Sequence, residues 1–204
     1  MDDTLIKEKA VDMCKMDIGL VVTGSFCVFN SFVGYVSELA DAVSSVTPVL
    51  SFNAAQMDTK FNTAAERIGL LEQITGIKAI TTIKEAEVIG PHKLFDLLVV
   101  APCTGNTLAK IAHGITDTPA TMAVKAHLRN NRPVVIGVSS NDVLGENAKN
   151  FGHLLNTKNF FFIPIYQDDC KGKEKSVTFK CEMLLETVEA AIVGRQVQPL
   201  LAGV

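Results

Sequence analysis

Four short polar stretches, each directly after an apolar run, carry the residue types from which an anion-binding site can be built. The first is Thr23-Gly24-Ser25-Phe26-Cys27. Gly24 permits a tight turn and close approach of a ligand to the backbone. Thr23 and Ser25 supply hydroxyls, and the helix expected to follow supplies free N–H groups and about half a positive charge at its start. That combination suits a phosphate. The same hydroxyls would equally serve as a plain helix N-cap. The turn is not the dinucleotide fingerprint, whose second and third glycines are missing.

The sharpest stretch is Ala101-Pro102-Cys103-Thr104-Gly105-Asn106-Thr107-Leu108-Ala109-Lys110. Pro102 is expected to end a strand. Thr104, Asn106 and Thr107 crowd hydroxyl and amide groups at a helix start, which makes a second anion-friendly N-terminus. Two such ends converging on one crevice argue for a ligand over simple capping at both. Lys110 reads as a solvated helix charge. Ser51-Phe52-Asn53 and Val138-Ser139-Ser140-Asn141-Asp142 add polar groups at the same edge, and either could be ordinary turn chemistry. The four histidines, His92, His113, His127 and His153, are scattered and mark neither a metal site nor a triad.

What must position these stretches is a set of buried strands. Five apolar, β-rich runs stand out: 18–22, 46–52, 97–101, 133–138 and 160–165. Most are continuous rather than alternating, as expected for strands covered on both faces. Helical faces lie between them. Phe29, Phe32, Val33, Val36 and Leu39 form one; Leu108, Ile111, Ala112 and Ile115 a second; Leu184, Leu185, Val188, Ala191 and Ile192 a third. The alternation predicts an α/β domain spanning 1–204, an open parallel sheet with helices on both faces and right-handed crossovers. Residues 1–15 are expected to hold a short helix, and 168–175 to be a polar, mobile loop. In such a sheet, ligands bind beyond the carboxyl ends of the strands, where strand order reverses.

Composition narrows the partners. With 204 residues, 48% hydrophobic and 20% charged, the chain can bury a substantial core. A net charge of −3 gives no electrostatic case for nucleic acid or an anionic membrane. No apolar run reaches the roughly 18 residues needed to cross a bilayer. The acidic Met1-Asp2-Asp3 start lacks the basic, then apolar, pattern of a signal peptide, so a cytoplasmic location is expected. The five cysteines have no metal-knuckle or redox spacing and read as free thiols.

The run from Ala101 to Asp117 resembles the signature of the FMN-binding cysteine-decarboxylase-like flavoproteins. That resemblance implies a Rossmann-like or flavodoxin-like fold, FMN as cofactor and homo-oligomers, often trimers or dodecamers. On it, Thr23, Gly24 and Ser25 form the first flavin-phosphate loop. Ser51 and Asn53 become polar FMN contacts after the second strand. The loop carrying Cys103, Thr104, Gly105, Asn106 and Thr107 becomes the flavin loop, and Asn141 matches the asparagine of a Pro-Ala-Met-Asn motif. The decarboxylases carry a catalytic histidine eight residues before the aspartate that precedes the third strand. Counted back from Asp96, that place holds Val88, and Val138-Ser139-Ser140 stands for Pro-Ala-Met. Both departures speak against cysteine decarboxylation.

The chain is more similar still to the dipicolinate-forming branch of spore-forming bacteria. That likeness rests on Pro102 to Thr107, Ala123 to Asn130, Pro133 to Asp142 and Leu155 to Asn159. It implies a role in oxidising dihydrodipicolinate to dipicolinic acid during sporulation. It also implies a partner, the separate nicotinamide-dependent A subunit. A dianionic substrate would want cations nearby. Lys125, Arg129 and Arg132 are candidates, though each also reads as a solvated helix end. The likeness leaves catalytic residues unassigned. The alternatives are a non-catalytic companion that supports the nicotinamide-dependent partner and an FMN-dependent decarboxylase of a cysteine-derived substrate, against which Val88 speaks.

Overall fold

A computed structural model describes residues 12–203. Most of the segment expected to hold an N-terminal helix, 1–11, lies outside the described residues; 13–15 form one 3₁₀ turn. Among the described residues, the five strands of the main sheet are β1 (Asp17–Val22), β2 (Ser45–Leu50), β3 (Leu97–Cys103), β4 (Val134–Val138) and β5 (Phe160–Phe162). They pair in parallel in the order β2-β1-β3-β4-β5. β3 and β4 are buried at every position, which explains their unbroken Leu/Val/Ile runs.

The helices are α1 (Phe26–Ala42), α2 (Phe52–Gln56), α3 (Ala64–Thr75), α4 (Ile83–Glu87), α5 (Ile89–His92), α6 (Gly105–Ala112), α7 (Pro119–Leu128), α8 (Ala148–Leu155) and α9 (Leu184–Ile192). α1 packs with α9, and α7 packs with α4, α5 and α6. From β1 the chain crosses outward to β2; from β3 it crosses the other way to β4. Right-handed crossovers in opposite directions put α1 and α7 on opposite faces. The reversal falls between β1 and β3. The loops after these two strands therefore part, and a crevice opens at the carboxyl edge of the sheet.

The structure departs from the sequence reading at several strand and helix ends; the second run, for one, leaves the sheet after Leu50, and Phe52 begins α2. The third strand does not end at Pro102: it runs on to Cys103, which pairs with Val138 after a register shift. Pro102 lacks an N–H, but its carbonyl accepts from the Thr23 N–H at 3.2 Å and keeps the strand tied to β1. The fifth run is not one strand. Ile163 still donates to Ile136 at 3.0 Å, but Pro164 cannot extend a ladder. The chain then leaves the sheet and forms an antiparallel ribbon, β6 (Ile165–Tyr166) with β7 (Thr178–Phe179). Finally, α6 stops at Ala112, and Gly114 takes a left-handed φ of 67°, so Ile115 lies outside the helix and is exposed.

Candidate functional site

The crevice at the switch point is a cleft of about 970 Å³, within the range of small-molecule and cofactor sites. Its floor is the loop after β1 and the start of α1, from Gly24 to Val28. One wall is the start of α6, Thr104 to Asn106. A second is the loop after β4, Ser139 to Asn141. The third wall is the β6–β7 ribbon, contributing Tyr166, Asp168, Lys173 and Ser176 to Phe179. Phe61 stands at the lip.

The two helix starts differ. Thr104 caps α6, accepting from the Thr107 N–H at 3.2 Å and donating to the Thr107 hydroxyl at 3.0 Å. Ser25 sits at the N-cap of the much longer α1 but makes no side-chain cap. Its hydroxyl instead donates to the Ser139 hydroxyl at 2.9 Å. The first N–H groups of a 17-residue helix thus face the cleft without a side-chain acceptor. That is an anion-binding arrangement.

The residues predicted from sequence divide into two sets. Gly24, Ser25, Thr104, Gly105, Asn106 and Asn141 come together around the cleft. Thr23, Ser51, Cys103 and Thr107 are buried behind it, and Asn53 is exposed beside it. Thr23 braces the two loops: its hydroxyl donates to the Pro102 carbonyl at 2.7 Å and accepts from the Thr104 N–H at 3.0 Å. Ser51 caps α2 by accepting from the Ala54 N–H at 3.3 Å. Burial pushes the Cys103 thiol up to about 12, so it stays protonated.

The glycines also divide. Gly24 has no positive φ, and a Cβ there would come no nearer than 3.4 Å to its neighbours, so the turn itself does not require glycine. The floor it leaves bare faces the cleft. At Gly105 a Cβ would meet the Ser140 hydroxyl at 2.6 Å and the Asn147 amide at 2.8 Å. A larger residue there would have to displace both side chains.

The cations proposed for a dianionic substrate are elsewhere. Lys125 and Arg129 lie at the end of α7, and Arg132 precedes β4, at the amino edge of the sheet and opposite the cleft. Arg132 is held there by an ion pair with Asp96 at 3.3 Å and by bonds to the Lys93 and Phe95 carbonyls. Lys110 pairs with Asp117 at 2.8 Å. Val88, where the decarboxylases have their histidine, lies between α4 and α5 and is not a cleft residue of its own chain.

The ribbon wall is the part of the site that sequence reasoning misses. Its signal lies in two short β-rich runs, 163–166 and 176–179, flanking a polar stretch that contains Gly172. The stretch 168–175, expected to be a mobile loop, is the tip of this ribbon. Within it the Lys173 N–H donates to the Asp169 carbonyl at 2.8 Å, and from its edge the Gln167 amide donates to the Glu174 carbonyl at 2.9 Å.

Residues 6–189 match the family model described as Flavoprotein. The chain belongs to the Flavoprotein family. Within that family, it is 44% identical over 184 residues to the B subunit of dipicolinate synthase from Bacillus subtilis, covering 90% of this chain and 92% of that one. The crystal structure of the B subunit of dipicolinate synthase from Bacillus halodurans C superposes with a TM-score of 0.86 at 38% identity, covering 95% of this chain and 99% of that one. The FMN-dependent cysteine decarboxylase SpaF shares the fold, with a TM-score of 0.64 at 18% identity over 89% of this chain and 97% of that one. The α/β parallel sheet and the family resemblance expected from the sequence are both found. Among the described residues of this flavoprotein, no helix is long and apolar enough to cross a membrane, and no cluster of His, Cys, Asp and Glu is placed to hold a metal.

Proposed function

We propose that this chain is the B subunit of a two-component dipicolinate synthase, binding FMN in the switch-point cleft and acting in the oxidation of dihydrodipicolinate to dipicolinic acid during sporulation. The observation that carries the cofactor is the uncapped start of α1, facing the cleft beside the start of α6. It fits the phosphate of a flavin mononucleotide, and the remaining volume, edged by Phe26, Phe61 and Phe179, fits a ring system. Family membership and the likeness to the dipicolinate synthase of Bacillus subtilis support the rest.

In this reading the N–H groups of α1 hold the phosphate, the Ser25 hydroxyl turns from Ser139 toward it, and Thr104 fixes the start of α6 beside it. Asn106 and Asn141 offer amides to the flavin ring. Thr23, Ser51, Cys103 and Thr107 act from behind, fixing the loops, with Gly24 and Gly105 leaving room and Asn53 at the outer edge. Bound FMN supplies two-electron acceptance, and oxidation of the dihydropyridine is favoured because its product is aromatic. The chain's own contribution is orientation and exclusion of water. The partners are the nicotinamide-dependent A subunit, one small dicarboxylate and further copies of this chain, in the cytoplasm.

A second reading is a non-catalytic companion of the nicotinamide-dependent partner. It is favoured by the missing histidine, since Val88 stands where the decarboxylases have theirs. The visible absorbance spectrum of the purified chain, before and after adding FMN, tests the first reading. A bound-flavin spectrum that weakens in Asn106→Ala supports it. A chain that stays colourless in excess FMN, yet raises the activity of its nicotinamide-dependent partner, sinks it and favours the second.

A further inference from the structure

Among the described residues lining the cleft, Lys173 is the one with a cationic side chain and Asp168 the one with a carboxylate. Both stand on the β6–β7 ribbon. The root of Lys173 is fixed: its N–H donates to the Asp169 carbonyl at 2.8 Å, and its carbonyl accepts from the Ser176 N–H at 2.9 Å. The ribbon is in turn stitched to the loop after β4, by the Ser140–Val177 pair of bonds at 3.0 and 2.9 Å and by the Leu144 N–H on the Lys175 carbonyl at 3.1 Å. What remains adaptable is the four-carbon stem and its ammonium. That ammonium lies 3.5 Å from the Asp168 carboxylate, with the two side chains 58% and 36% exposed. A pair this long and this wet is weak and readily exchanged.

We propose that Lys173 is the specificity residue that receives a carboxylate of the dicarboxylate substrate, and that this contact replaces its ion pair with Asp168. The assignment rests on the proposed function for the class of substrate and on the cleft for the residue. A dianion entering the cleft meets one positive and one negative side chain. Lys173 attracts it. Asp168 repels it and competes for Lys173. The two residues therefore act on ligand affinity with opposite signs, and a merely structural ion pair would not behave that way.

The test titrates dipicolinate, the stable product dianion, into the full-length chain by calorimetry, with and without the nicotinamide-dependent partner. A parallel FMN titration by absorbance is run on every variant. Lys173→Gln should weaken dipicolinate binding roughly tenfold or more, the scale of one charge-assisted contact. Lys173→Arg should retain most of it, and Asp168→Asn should tighten it. FMN binding should be the same in all. Unchanged dipicolinate affinity in Lys173→Gln overturns the assignment, as does a wild-type chain that takes up no dipicolinate either alone or with its partner. A chain that binds dipicolinate through Lys173 but never acquires a flavin spectrum would sink the flavin reading and leave this assignment standing.

Discussion

Ser25 stands at the N-cap of α1 with its hydroxyl turned away from the helix, donating to the Ser139 hydroxyl 2.9 Å away on the other side of the switch point. A serine in that position would ordinarily accept from the N–H of the second or third helical residue. Here the bond to the loop after β4 both ties two walls together and leaves the helix start open toward the cleft. A fixed acceptor at residue 25 should therefore help the helix and hurt the ligand. Ser25→Asp is expected to leave thermal stability equal or higher, through capping and the helix dipole, while weakening FMN roughly tenfold or more, because the carboxylate occupies and repels the phosphate position. Melting temperature and an FMN titration on the same protein check this. Tighter FMN binding in Ser25→Asp would show that the start of α1 is not the phosphate seat.

Gly105 is a tight point of the cleft wall. A methyl group there would sit 2.6 Å from the Ser140 hydroxyl and 2.8 Å from the Asn147 amide, and Asn147 is itself held by the Asp142 carboxylate at 3.0 Å. Gly105→Ala must displace the Ser140 hydroxyl and the Asn147 amide, and with them the Asn147–Asp142 bond. The expected loss is ~1–3 kcal/mol, the usual scale of overpacking. Urea unfolding should show a lower midpoint with an unchanged slope. A midpoint equal to that of the wild type would mean the loop yields freely, and the cleft wall would then be softer than its geometry implies.

His127 predicts a pH dependence. It is buried at the end of α7, with one ring nitrogen 3.0 Å from the Pro133 carbonyl. Burial, opposed by that bond, lowers its pKa from 6.5 to about 4. Between those values the unfolded chain binds a proton that the folded chain refuses. The contribution is therefore fully present above pH 6.5 and is lost as the pH falls toward 4. In that window stability should drop by up to about 1.4 kcal/mol per pH unit from this group alone. Urea midpoints at pH 7, 6 and 5, compared between wild type and His127→Gln, isolate it. The two curves should converge as the pH falls. Parallel curves would mean that His127 titrates normally.

Much of this is legible in the sequence, and the exceptions have physical causes. The buried parallel strands announce themselves because strands covered on both faces need continuous Val, Leu and Ile, as in 97–101 and 134–138. Gly24, Ser25, Thr104 and Asn106 can be picked out because ligand sites in such sheets follow the strands, and the cleft does gather them. Thr23 and Ser51 cannot be told from ligand contacts, since a hydroxyl that braces a loop and one that binds a ligand have the same spelling. The ribbon wall leaves only a faint signal, for another reason. Two residues per strand make no period, and Ile165 reads as the continuation of Phe160 to Ile163 until Pro164 is seen to turn it away. Lys125, Arg129 and Arg132 are misplaced by charge chemistry alone: they precede a strand, and in a parallel sheet that turn lies at the amino edge, away from the ligand edge.

Among the described residues Arg67 is the largest fully buried side chain, and it organises the lip of the cleft from behind. Its guanidinium donates to the Ala54 carbonyl at 3.0 Å, to the Asn62 carbonyl at 3.0 Å, to the Asn62 side-chain oxygen at 2.6 Å and to the Met57 carbonyl. It also lies 4.5 Å from the centre of the Phe26 ring, in the first turn of α1. One planar fork thus holds the segment 54–62, which carries Phe61 to the cleft. Lysine brings the same charge but cannot reach those carbonyls together. Arg67→Lys is therefore expected to cost about 2–4 kcal/mol, from carbonyls left unpaired and a charge left short of partners. It should also speed tryptic cleavage after Lys60, in the segment the fork restrains. Limited proteolysis followed by mass spectrometry, alongside urea unfolding, reads both effects. If Arg67→Lys matched the wild type in both, the segment would be held by its own Thr59 and Asn62 turn, whose hydroxyl-to-carbonyl bond is 3.0 Å, and not by the buried fork.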